Sequence, residues 1–249
     1  MRRLRREFQE ASLLLNDIPA WVVSVFAASC IAMNLLANKS LNVPWEWLAV
    51  DGGILFSWIS FMCMDIIVKR YGAKAAITIS MLALLINLFY AGLFFVAARV
   101  AGQWGESFSV NESAIVNNAL DNTFAGAPYV LLGSSVAFAV SAIVNAFCNQ
   151  AIGKLCKKDN FISFAMRSYV STIIAQFIDN FTFAMIVSIN FFGWSMTQCI
   201  TCSVLGAMLE LLMEVIFSPI GYRITKNWAR RRIGYRYRKE YTSLEAVEA

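Results

Sequence analysis

The chain has 249 residues, of which 59% are hydrophobic and 15% charged, and its formal net charge is +5. Soluble domains carry about 25% charged residues, and one would need a polar stretch of roughly 50 residues, which is missing here. The composition excludes an ordinary soluble protein and describes a polytopic membrane protein whose solvent is the bilayer.

Six apolar runs follow one another: Ile18–Ala37, Leu48–Val68, Ala73–Ala98, Pro128–Ile152, Phe164–Phe192 and Met196–Ser218. Each reaches the ~20 residues that cross a ~30 Å hydrocarbon core, and at that depth each must be a helix. The expected fold is all-α with six transmembrane helices. Arg2, Arg3, Arg5 and Arg6 precede the first run. That run is longer than a signal-peptide core and is followed by five more, so it reads as an uncleaved helix.

Basic residues alternate with the runs. Lys69, Arg70 and Lys74 lie after the second; Lys154, Lys157, Lys158 and Arg167 between the fourth and fifth; eight more follow the sixth. Of the 21 basic residues only Lys39 and Arg99 fall on the other side. The positive-inside rule then places both termini in the cytoplasm of a multi-pass plasma or inner membrane protein. The organisation is a basic cytoplasmic N-terminus (1–17), a transport domain (18–218) with an outer loop at 99–127, and a basic tail (219–249). The net charge is a topology signal and calls for no nucleic acid. Tyr222, Trp228, Tyr235, Tyr237 and Tyr241 in the tail suit an interfacial anchor.

The 99–127 connection is too long for a turn. Glu112–Leu120 is expected to form a short amphipathic helix capped by Asn111 or Ser109, either a lid or a plain connection. Asn111-Glu-Ser matches a glycosylation sequon by pattern alone.

The chain has no His, which removes the commonest metal ligand and any Ser-His-Asp triad. It has no Walker A, GxSxG or HExxH sequence. Cys199 and Cys202 form a CxxC within an apolar helix, where small packing residues are the simpler account. No enzymatic activity, cofactor or metal is expected.

The intramembrane polar residues carry the functional signal. Asp179 stands inside the fifth run, where an ionised carboxylate at the bilayer centre costs about 2.5–3.5 kcal/mol on insertion scales. Gln176 and Asn180 sit beside it. Asn34, Asn87, Asn145 and Glu210 add polar groups in other runs, and Asn149 and Glu214 lie one helical turn from Asn145 and Glu210. We take Asp179, Gln176, Asn180, Asn145, Glu210, Asn34 and Asn87 as candidate substrate-binding residues. Asp65, Glu214 and Lys39 are candidates for proton coupling or gating, although Lys69 could pair locally with Asp65 and Arg223 or water could meet Glu214. Asp51 lies near an outer end and could be solvated. Amides donate and accept, carboxylates accept, and Trp58, Phe56, Phe177, Phe181, Phe183 and Trp194 offer aromatic faces. Such a set suits a flat, polar, hydrogen-bonding solute.

Three strings carry a family resemblance: Asn34-Leu-Leu-Ala-Asn-Lys39, Asp65-Ile-Ile-Val-Lys-Arg-Tyr-Gly72, and Arg167 to Asp179, which includes Ser-Thr-x3-Gln-x2-Asp. With six runs, the chain resembles the vitamin-uptake (VUT) family of queuosine-precursor transporter type, from the first run to Pro219. The resemblance implies uptake of a 7-deazaguanine, namely the 7-cyano or 7-aminomethyl derivative or queuine, and a fold similar to the substrate-binding subunits of energy-coupling-factor (ECF) transporters. It points to Asn34, Lys39, Asp65, Gln176 and Asp179. Where relatives often carry Gln and an acid in the fourth run, this chain has Asn145 and Cys148. Where they often carry Lys in the sixth, it has Glu210, which should favour an amine-bearing solute. The partners implied are a planar deazapurine and the lipid bilayer, with pairing into a homodimer left open. A stand-alone secondary transporter is expected. The alternatives are an ECF-type subunit that needs a separate ATPase, for which Ala28-x3-Ala32 offers a small-residue face, and a non-transporting scaffold or sensor.

Overall fold

A computed structural model describes residues 2–37, 39–41, 45, 50–105, 113–125, 128–156 and 160–246. Asn38, Leu48, the caps Ser109 and Asn111, and Lys157 and Lys158 lie outside the described residues. The elements run α1 (Arg2–Asp17), α2 (Ala20–Leu36), β1 (Ser40–Leu41), β2 (Val50–Asp51), α3 (Ile54–Tyr71), α4 (Ala73–Ala97), α5 (Ser113–Ala125), α6 (Pro128–Leu155), α7 (Phe161–Phe183), a π-helical turn (Ala184–Ser188), α8 (Ile189–Phe192), α9 (Met196–Arg230) and α10 (Tyr235–Ala246).

Pro19, at the head of the first apolar run, separates α2 from α1, which lies before that run. Proline has no N–H to continue the ladder, and α1 and α2 meet at 106°. The amphipathic α1 lies across the basic end of the bundle, against α4 and α10. Glu10 there accepts hydrogen bonds from Arg6, at 2.8 Å, and Lys74. Tyr71 donates to the Asp17 carbonyl, and the Tyr237 N–H to the Asp17 carboxylate, each at 3.0 Å. Trp228 meets Trp21 and Tyr71 edge-on at 6.1 and 6.2 Å. The basic tail is thus folded onto the bundle.

At the opposite end β1 and β2 form a two-residue antiparallel ladder, with Ser40 opposite Asp51 and Leu41 opposite Val50. The second apolar run therefore becomes helical only at Ile54, six residues later than its hydropathy suggests. Gly72, at φ +92°, turns the chain from α3 into α4 through a region that other residues enter with strain.

α6 packs on α7, α7 on α9, α2 and α9 on α3, and α4 on α6. Asn160 caps α7 by accepting from the Ser163 N–H at 2.9 Å. Ser195 and Gln198 form a capping box at the start of α9. That helix runs on through Pro219 to Arg230. Proline leaves the Val215 carbonyl without its ladder donor, and the Ser218 hydroxyl donates to it at 3.1 Å.

The outer faces carry Leu85, Phe89, Phe147, Ile162, Leu212 and Ile216, all exposed, whereas Asp65, Asn145, Gln176, Glu210 and Glu214 are buried. This is the reverse of a soluble protein and the arrangement lipid demands. Among the described residues, four helices are long and apolar enough to cross a membrane, or five if the bent α1–α2 pair is one span. The shortfall from six has a local origin. α2 has only 17 residues, and α3, with 18, carries Asp65, Lys69 and Arg70.

Gly133 brings α6 against the π turn; a Cβ there would lie 2.3 Å from Val187 Cγ2 and 3.1 Å from Ile186 Cγ2. Gly133→Ala is expected to destabilise the fold by about 1–3 kcal/mol through overpacking. Thermal unfolding in detergent should show a lower Tm, partly restored by adding Val187→Ala.

Candidate functional site

Two helices, α7 and α9, each present a polar face to the interior, and helical spacing is the reason. On α7, Ser168, Thr172, Gln176 and Asn180 recur every four residues, with Asp179 alongside; on α9, Ser203, Gly206, Glu210 and Glu214 recur every three or four. Each set therefore shares one face. Packing α3, α6, α7 and α9 together divides these groups into an open cavity and a closed cluster.

The cavity lies at the end away from the basic collar. Asn34, Ser57, Ser134, Asp179, Asn180 and Glu210 line it, with Phe183 and Trp194 as aromatic walls. Ser57 donates to Glu210 Oε1, Ser134 donates to Asn34 Oδ1, and Ser141 donates to Asp179 Oδ1 at 2.8 Å. Asn34 Nδ2 donates to the Cys30 carbonyl at 2.9 Å, which fixes its orientation. Asn180 rests against Gly206, where a Cβ would come within 2.6 Å of its Nδ2. That Nδ2 and the Ser188 hydroxyl are buried with no hydrogen-bond partner. The π turn helps build this wall, since Ala184 and Ser188 both line the cavity. No lysine or arginine lines it among the described residues. The cavity is therefore rich in acceptors and negative in character, fit for a solute with N–H donors or a positive charge.

The closed cluster lies nearer the basic end. Asp65 Oδ1 accepts from Asn149 Nδ2 at 2.6 Å and from Asn145 Nδ2 at 3.2 Å. The Ser168 hydroxyl is in hydrogen-bond contact with both Asp65 Oδ2 and Glu214 Oε1. Thr172 donates to Glu214 Oε2. The buried Arg167 guanidinium donates to Asn149 Oδ1, by Nε at 2.8 Å and Nη2 at 2.5 Å. Asp65 and Glu214 are each 1% exposed, so neither is a solvated group at a helix end. Arg167 is 8% exposed inside α7 and is no loop charge.

Gln176 belongs to neither group. It is fully buried on α7 between Thr172 and Asn180, and neither its Nε2 nor its Oε1 has a partner. An unmet buried amide costs about 1–3 kcal/mol. The remaining candidates disperse. Asn145 belongs to the closed cluster. Asn87 is buried in α4, its Nδ2 unpaired. Lys39 is exposed, and its carbonyl accepts from the Gly52 N–H at 2.7 Å at the ladder. Trp58 stacks on Phe217 at 4.3 Å, and Phe177 on Phe181 at 5.6 Å, whereas Phe183 and Trp194 line the cavity. The expected outer helix exists as α5. It packs on α4, where Trp104 stacks on Phe124 and bonds Asp121 at 2.7 Å. It contributes nothing to the cavity wall among the described residues.

Sequence reasoning passed over the serines and Arg167. Serines at helical spacing opposite acids were a usable signal, and Ser168, Ser171 and Thr172 lay within a string already singled out.

Residues 51–224 match the family model described as "Putative vitamin uptake transporter". No curated protein and no solved structure gives a match. The matched segment holds Asp65, Asn145, Gln176, Asp179, Glu210 and Glu214; Asn34 and Lys39 precede it.

Asn149 links Arg167 to Asp65, so Asn149→Leu is expected to destabilise the protein by about 1–3 kcal/mol. Asn87→Leu, which removes an amide already missing a partner, should cost less. Paired thermal melts of the two variants in one detergent check the order.

Proposed function

The chain belongs to this family of vitamin uptake transporters, and on that footing we propose that it imports a 7-deazaguanine as a stand-alone secondary transporter. The family membership makes it a multi-pass membrane protein of the uptake class. The finer reading has α2, α3, α4, α6, α7 to α8, and α9 as six spans, the basic collar in the cytoplasm and the cavity facing outward. The alternation of basic residues along the chain supports that orientation.

One observation carries the substrate reading: Asp179 and Glu210 face the same aromatic-walled cavity as Asn34 and Asn180, with no lining cation among the described residues. A 7-deazaguanine presents a 2-amino group and a ring N–H along one edge, and a carboxylate accepts from both. Asp179 takes that edge. Asn34 and Asn180 meet the remaining ring polar atoms, and Phe183 and Trp194 cover the ring faces, as aromatic side chains cover nucleobases. Glu210 then faces the 7-substituent, and an aminomethyl cation there gains a charge partner that a nitrile does not.

Equilibrium binding to purified protein in nanodiscs tests this. The 7-aminomethyl compound should bind more tightly than the 7-cyano compound, and both more tightly than unrelated vitamins. Asp179→Asn should weaken binding about 10–100-fold, the value of a charge-assisted hydrogen bond, and abolish uptake while the protein stays folded. Glu210→Gln should remove the preference for the amine. Equal binding of all ligands, unchanged by either substitution, would contradict the assignment. Uptake by proteoliposomes that hold no ATPase separates a stand-alone carrier from an ECF-type subunit, and absence of uptake with binding retained would indicate a sensor.

A further inference from the structure

The closed cluster poses a proton-counting problem. A serine hydroxyl has one hydrogen, so Ser168 can donate to only one of its two carboxyl neighbours. The second contact is a hydrogen bond only if the other carboxyl is itself an O–H donor to the Ser168 oxygen. The two acids lie side by side in a buried place, where unbalanced charge is most costly.

A further observation points the same way. Asn145 donates to Asp65 through Nδ2, but its Oδ1 is buried without any donor. The cluster thus contains an acceptor waiting for a mobile hydrogen beside the two acids.

The groups around the pair are few. Glu214 comes from α9. Arg167 and the half-buried Tyr169, which bonds Ser218 at 2.7 Å, come from α7. α6 brings the uncharged Asn145 and Asn149. The buried side chains of α2 and α4 include no charged residue, and the thiols of Cys30 and Cys63 lie in the adjoining apolar core. Of these groups, Asp65 and Glu214 are the carboxyl pair that meets at the Ser168 hydroxyl.

We infer that Asp65 and Glu214 share one exchangeable proton, and that this pair is the proton-binding site which couples import to a proton gradient. The inference rests on the importer reading above. Holding the proton, the pair closes the cytoplasmic end by joining α3, α7 and α9 through Ser168. Release breaks one carboxyl O–H bond and passes the proton to cytoplasmic water, leaving two carboxylates side by side around a single hydroxyl. Their repulsion separates α3 from α9 and opens the path below the cavity. A proton from the outer solution restores the O–H bond. Glu210 lies one turn, about 6 Å, above Glu214 on α9, and the unpaired Gln176 fills the interval on α7, so the polar column between cavity and cluster is continuous in outline.

Two measurements decide this. Infrared spectra of purified protein at neutral pH should show a protonated-carboxyl stretch in the wild type that is lost in Asp65→Asn/Glu214→Gln. Spectra identical in that region would overturn the shared proton whatever the substrate is. In proteoliposomes with an acidic exterior, labelled 7-aminomethyl-7-deazaguanine should accumulate in the wild type, at least ten-fold above the level without a gradient. Asp65→Asn and Glu214→Gln should each fall to the no-gradient level, with binding at the cavity still measurable as evidence of folding. Gradient-driven accumulation of wild-type size in both variants would refute the coupling role. If the wild type fails to bind the compound at all, the importer reading fails, and the infrared comparison still settles the proton site.

Discussion

A carboxylate inside a lipid-facing bundle must find its compensation among the side chains that surround it. Between α3, α6, α7 and α9 the acids are met by hydroxyls: Asp179 by Ser141, Glu210 by Ser57, and Asp65 and Glu214 by Ser168, with Thr172 also on Glu214. Hydroxyls serve here because they are small, fit between close helices and can turn their hydrogen to either side. Among the described residues one cation, Arg167, is buried, and Asn149 bridges it to Asp65. The interior is thus stabilised with little buried positive charge among the described residues, which leaves the cavity rich in acceptors.

The same constraint explains the irregular backbone. A lipid-exposed break in a helix is forbidden, but a break that borders a cavity is tolerated. The π turn sits where α7 meets the cavity, and it brings Ala184 and Ser188 into the wall. Pro219 interrupts α9 where Ser218 can supply the missing donor. α7 is consequently the element that belongs to both sites. Its first half supplies Arg167, Ser168 and Thr172, its second half supplies Asp179 and Asn180, and Gln176 lies between them. A rotation or shift of α7 changes both sites together, which is the geometry that alternating access requires.

Much of this was legible in the chain, because the strongest signals in a membrane sequence are long and local. Apolar runs located α4 and α6 within a few residues and the starts of α7 and α9, although α9 continues past its run to Arg230. The Asn34, Asp179, Asn180 and Glu210 set gathers in one cavity because each stands on a face with other polar residues. What could not be read depends on partners far along the chain. Asp65 seemed suited to Lys69 one turn away, yet its carboxyl lies among α6 and α7 side chains some 80 to 100 positions later. Arg167 counted as a boundary charge until the fold buried it. Trp58 and the Phe177–Phe181 pair offered aromatic faces that turn out to be occupied by other rings. The helix α1, before the first run, went unread because a basic amphipathic segment carries no long apolar signal.

The most direct test of the account is a structure of the protein in a lipid nanodisc with 7-aminomethyl-7-deazaguanine bound. The account predicts the ring between Phe183 and Trp194, its donor edge on Asp179 and its aminomethyl nitrogen beside Glu210. A ligand seated outside this cavity, or one whose amine points away from both acids, would contradict it.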